Sequence, residues 1–166
     1  MIGWGLAYGF AVSALFSAVL LGGALAARDF MVQDYPPAIR NRYGPKSPRG
    51  QRVTRIAGVV VAAGVIAILV TAMIHLYAIA PEAGFVTALA YAATILITFN
   101  VFDLIVLDWL VVVRWRPSIV VLPGTEGMDA YDDMSFHLVG FAKGMIVCLS
   151  GALISAVAFT LITTVL

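Results

Sequence analysis

Three ionisable side chains stand inside stretches of sequence that are otherwise apolar: Asp103, Asp108 and Lys143. A charge held within hydrocarbon is costly, so each such group is a candidate for function rather than decoration. Asp103 is the natural proton carrier of the three. Asp108 lies six residues before Arg114 and Lys143 six residues after His137. At the rise of an α-helix each would sit about 9 Å inside the boundary. The spacing therefore predicts an Asp108–Lys143 ion pair between two antiparallel helices, which would offset part of the desolvation of both charges. Asp103 is deeper, at roughly 16 Å by the same rise, with no base at its level. At that depth it is expected either to be protonated or to bond to Asn100, Thr98, Ser17 or Cys148. The plainer reading of this seam (Asn100, Asp103, Asp108, Lys143) is helix–helix adhesion, for which intramembrane polar contacts contribute about 0.6 kcal/mol each.

A second group follows at Glu126, Asp129, Asp133 and His137. The last three are spaced i, i+4, i+8 and would share one face of a helix. Carboxylates with an imidazole could bind a divalent ion such as Mn²⁺, Fe²⁺ or Zn²⁺, with Asp132 as a further oxygen donor. The plainer reading is a solvated acidic helix start, and no cofactor is called for. The remaining histidine, His75, reads as a packing or interfacial residue. There is no GxSxG, HExxH or phosphate-cradling Gly-Lys-Ser/Thr pattern. The single cysteine, Cys148, excludes an internal disulfide.

The elements that must position these groups are membrane spans. Of 166 residues 62% are hydrophobic and only 11% charged, with a mean hydropathy of +1.01. Soluble domains carry about 25% charged residues. Four apolar stretches, at about 2–27, 53–80, 85–113 and 136–166, exceed the ~20 residues that cross a bilayer. In lipid each must satisfy its own backbone and so is helical. The predicted fold is an all-α integral membrane protein, a four-transmembrane-helix bundle in one domain. The Ala24-Leu25-Ala26 segment resembles a signal cleavage site, but no Lys or Arg precedes it, so the first span is read as retained.

Nine of the ten basic residues fall in or beside the two longer connections, 28–52 and 114–135, and none in the short connection before Phe85. By the positive-inside rule both loops face the cytoplasm and both termini lie outside, in an inner-membrane orientation. Arg40, Arg42, Lys46, Arg49, Arg52 and Arg55 are candidates for contact with anionic headgroups. In the second loop, Ser118 to Leu122 is β-branched and proline-bounded, an expected strand or extended segment. Pro36, Pro37 and the residues after them predict a short helical turn near Ala38–Arg42. Gly140, Gly144 and Cys148 form a small-residue stripe suited to close helix approach, within the chain or between chains. The net charge of +1 gives no reason to expect nucleic acid.

The run Asp34-Tyr35-Pro36-Pro37-Ala38-Ile39, with Asp103, Leu107-Asp108, Pro123-Gly124-Thr125-Glu126, Tyr131, Asp132, Phe136-His137 and Gly140 to Gly144, resembles a group of small bacterial membrane proteins of uncharacterised function. These residues, 22 of the 166, are spread from the first loop into the fourth span. The resemblance implies a four-span fold with a cytoplasmic motif face, and brings no activity, cofactor or residue role. On the residues alone, the first expectation is a membrane-embedded subunit or scaffold that docks partners through its loops, as a homo-oligomer or in a larger membrane complex. The alternatives are a proton-coupled transporter using Asp103, and a metal-dependent enzyme acting on lipid headgroups.

Overall fold

A computed structural model describes residues 1–165. Four helices are long and apolar enough to cross a membrane: α1 (Ile2–Ala26), α3 (Pro48–Ile79), α4 (Phe85–Phe102) continued by a π-helical segment (Asp103–Trp115), and α5 (Met134–Thr163). The short α2 (Pro37–Tyr43) lies in the first loop. The molecule is the expected four-helix membrane bundle. Apolar side chains such as Ile66, Ile74, Ile154 and Val147 point outward, as they must where lipid is the solvent.

Packing is built around α4. On one side α1 approaches through glycines: a Cβ on Gly5 or Gly9 would collide with Thr94 or Thr98. On the other side α5 presents the stripe read from the sequence. Gly144 leaves room for the Asn100 side chain, whose Nδ2 donates to the Phe141 carbonyl at 3.2 Å. The Cys148 thiol reaches the Leu96 carbonyl, and Gly151 faces Leu96. Gly144 and Cys148 of the stripe therefore pack within the chain, whereas a Cβ on Gly140 would meet nothing within 4 Å. The half of the bundle away from the long loops is filled by Val12, Leu76, Tyr91, Ile95 and Phe159. His75 belongs to this half, as the packing reading anticipates: Tyr8 Oη lies 3.1 Å from its Nδ1 and Trp4 meets its ring edge-on.

The two long loops fold onto each other at the opposite end. Val32, Ile39, Leu122 and Tyr131 form a small core of their own. Tyr35 Oη donates to the Val120 carbonyl at 2.7 Å, and Arg42 donates to the Gly124 carbonyl at 3.2 Å. Tyr131 Oη accepts the Leu122 N–H at 3.0 Å and shares a hydrogen bond with Thr125 at 2.7 Å. Arg116 covers the Tyr131 ring and pairs with Asp132. The turn around Ala38–Arg42 is present as α2, with Pro37 in its first turn where a missing N–H costs nothing. The expected strand at Ser118 to Leu122 is not formed, and no strand occurs among the described residues. With no neighbouring edge to pair with, the segment turns instead: the Val120 N–H bonds to the Pro117 carbonyl and Leu122 drops into the loop core.

Because the α4–α5 seam depends on a missing Cβ, Gly144→Leu should lower the thermal unfolding midpoint in detergent by several degrees. Gly58, whose Cβ would meet open space, should tolerate alanine with no loss. Removing a helical glycine favours the folded chain by about 0.5–1 kcal/mol.

Candidate functional site

The π-helical segment decides what faces the bundle interior. On an α-helix, residues five apart point about 140° away from each other. With i→i+5 hydrogen bonds they stack one turn apart. The geometry is visible where the segment ends, as the Arg116 N–H bonds to the Val111 carbonyl at 2.8 Å and Arg116 takes a left-handed conformation (φ 50°). Asp103 and Asp108 are five apart, and the wide turn brings both onto one cavity. This cavity measures about 640 Å³, within the ~300–1,000 Å³ of small-molecule pockets. It lies at the loop-bearing end, between α1, the π-helical segment, the first turns of α5 and the underside of both loops. Its walls are mostly apolar, from side chains such as Phe16, Leu20, Leu107 and Val111. Phe16 stacks edge-on against Phe99 at 5.1 Å, and beyond that pair the filled core of the other half begins.

The polar centre of the cavity is a pair of side chains. His137 Nδ1 lies 2.9 Å from Asp108 Oδ1. A carboxylate accepts, so Nδ1 carries the proton and Nε2 of the neutral ring is left with its lone pair. His137 is only 6% exposed, and its Nε2 is buried with no hydrogen-bond partner among the described residues. Asp103 lines the same cavity, with Ser17 across from it on α1, while Asp34 and Arg28 stand nearer the loops. The groups expected to reach Asp103 bond elsewhere: Ser17 to the Ser13 carbonyl, Thr98 to the Thr94 carbonyl, Asn100 to Phe141 and Cys148 to Leu96.

The Asp108–Lys143 ion pair predicted from depth is not formed. Lys143 is exposed on the outer face of α5, and Asp108 pairs with His137 instead. The error lay in setting Arg114 and His137 at one level. With His137 beside Asp108, α5 sits about 9 Å deeper than assumed. Lys143 then falls at the level of Asn100, whose neighbour on α5 is Gly144, and turns outward. The seam accordingly divides: Asn100 is helix adhesion, Asp103 and Asp108 line a cavity, and Lys143 takes no part in either.

The acidic group of the second loop is also dispersed. The i, i+4, i+8 spacing needs one continuous α-helix, but Asp129–Asp132 is a 3₁₀ turn and α5 begins only at Met134. Asp133 caps that helix, accepting from the Phe136 N–H at 3.2 Å and from the Ser135 hydroxyl, and these bonds hold its carboxyl below the usual carboxylate range. Glu126 and Asp129 face solvent, and Asp132 is taken by Arg116. Among the described residues no three His, Cys, Asp or Glu side chains converge as a metal site. The headgroup candidates separate too. Arg49, Arg52 and Arg55 are exposed near the start of α3. Lys46 is turned inward to Phe30 and Thr54, Arg42 is held by Gly124, and Arg40 reaches toward Gln33.

No family model matches the chain, and neither the curated proteins nor the solved structures provide a match. The functional reading rests on the site itself.

Lys143 provides a direct check on the register of α5. Lys143→Leu should leave the unfolding midpoint in detergent unchanged or raise it. A drop of several degrees would mean that the lysine has a buried carboxylate partner after all.

Proposed function

We propose that this is a multi-pass inner-membrane protein that holds an amphiphilic small molecule at the cytoplasmic interface and exchanges a proton with it through Asp108 and His137. The single observation that carries this reading is the buried, unpartnered His137 Nε2 at a cavity with mostly apolar walls. Burying a polar atom without a partner costs about 1–3 kcal/mol, an expense that a ligand would offset. An imidazole oriented by a carboxylate is an acid–base group, with the carboxylate fixing the tautomer and stabilising the imidazolium. The apolar walls suit an alkyl or prenyl chain entering from the bilayer. The cytoplasmic orientation rests on the nine basic residues gathered at the loop-bearing end.

The other readings draw less from the geometry. Transport across the bilayer by one copy would need a path through the half that Tyr91, Ile95 and Phe159 fill. A headgroup enzyme built on Glu126, Asp129, Asp133 and His137 would need those groups to converge. A docking role for the loops keeps one supporting observation: Trp115 is 71% exposed at the same loop-bearing end that carries the exposed Glu126 and Asp129. Such a role is compatible with a ligand-holding cavity beneath the same loops.

The test uses Gly140, which lines the cavity and whose Cβ would meet nothing within 4 Å. Gly140→Leu should fold as the parent does and occupy the space itself. Native mass spectrometry of the protein from gentle detergent should show a retained amphiphile on the parent and its loss, or at least a tenfold reduction in occupancy, on the variant. Equal occupancy of both would refute the proposal.

A further inference from the structure

Away from its exposed rim, the cavity's polar atoms carry a consistent hydrogen-bonding sign. His137 Nε2 offers a lone pair because Nδ1 is committed to Asp108. Asp108 accepts through its carboxylate oxygens, and Asp103 does the same wherever it is ionised. The Ser17 hydroxyl spends its proton on the Ser13 carbonyl, and the Tyr35 hydroxyl spends its own on Val120. Both therefore show the interior only lone pairs. The lining residues that can donate, Arg28, Gln33 through its amide and Trp115 through its indole N–H, are all exposed and so belong to the rim.

We infer that the ligand's polar end is a hydrogen-bond donor, a hydroxyl or a protonated amine on a long apolar chain, seated with its O–H or N–H on His137 Nε2. This deepens the amphiphile reading and rests on it. An anionic head of the same size would meet the Asp108 carboxylate and an imidazole lone pair, with the donors of Arg28, Gln33 and Trp115 held at the exposed rim. Like-charge juxtaposition and unpaired buried acceptors both count against it. The two donor heads share the seat and differ in charge: an alcohol or phenol relies on Nε2, whereas an ammonium gains additionally from Asp103 and Asp108.

Trp115 lies at the cavity and serves as reporter. The protein with Trp4→Phe and Trp109→Phe keeps it as the sole tryptophan. In phosphatidylcholine nanodiscs, saturable quenching of Trp115 is measured for brominated dodecanol, dodecylamine, dodecanoate and dodecyl phosphate. The donor-headed probes should bind about tenfold more tightly than the anions, the cost of one unpaired buried acceptor. His137→Phe should erase the preference for the alcohol over the carboxylate. If this variant does not fold, the ranking of the four heads on the parent decides. Anions binding as tightly as, or more tightly than, both donors would overturn the donor inference and leave the amphiphile reading standing. No saturable quenching by any of the four would overturn the amphiphile reading itself. Which donor ranks first, alcohol or amine, tells whether Nε2 or the carboxylates dominate the seat.

Discussion

The hydrogen bond between Asp108 and His137 is the contact on which the rest of the account turns. It ties the π-helical segment to the first turn of α5 at the loop-bearing end of the bundle. It fixes the imidazole's tautomer and leaves one buried nitrogen without a partner. An intramembrane carboxylate is expensive, and pairing it with a neutral imidazole costs less than pairing it with a buried ammonium, because the imidazole need not be charged to donate. The same economy explains why Lys143 can face outward. A lysine can run its methylene stem along the helix toward the interface, whereas a short aspartate must find its partner where it stands.

The π-helical segment is the structural condition for this arrangement. A continuous α-helix through Asp103 and Asp108 would point the two carboxyl groups to different sides. The wide turns bring both onto the cavity, and π-turns recur at functional sites for this kind of reason. Around this segment the bundle is asymmetric. The end away from the loops has a packed core, with an apolar groove of about 470 Å³ between α3 and α5 on its outer side, and the end beneath the loops keeps an open volume of about 640 Å³ that carries the polar groups. The loops cap that volume from above, cross-linked to each other through Tyr35 and Arg42, with the buried Tyr131 hydroxyl bracing the second loop internally. A small membrane protein with one filled half and one capped half has the form of a receptacle.

Much of this was legible in the sequence. Hydropathy gave the four spans, and the Gly144 and Cys148 spacing marked a face for close helix approach, because both depend on side-chain size and polarity at fixed periods; that this face meets α4 of the same chain came from the structure. Asp103 and Asp108 stand out, with Lys143, as anomalies of burial cost, whereas the sequence marks His137 only as a metal-ligand candidate. The pairing of Asp108 with His137 could not be read. It depends on the axial offset of α5 against the preceding helix, which is set by loop folding, and a depth count from the nearest basic residue missed it by about six residues. The π-turns leave no mark of their own, since Asp103–Trp115 contains neither proline nor glycine. The dispersal of Glu126, Asp129 and Asp133 follows from one local event, the 3₁₀ turn that ends before Asp133 takes the cap of α5.

The central claim, that Asp108 holds His137 with Nε2 free for a ligand, is tested most directly by the ring nitrogens. In protein labelled with ¹⁵N-histidine and reconstituted in lipid at a pH where the imidazole is neutral, the His137 resonances should show a protonated Nδ1 and an unprotonated Nε2. Asp108→Ala should turn this into a mixture of tautomers. A parent protein in which Nε2 carries the proton, or in which Asp108→Ala changes nothing, would contradict the account.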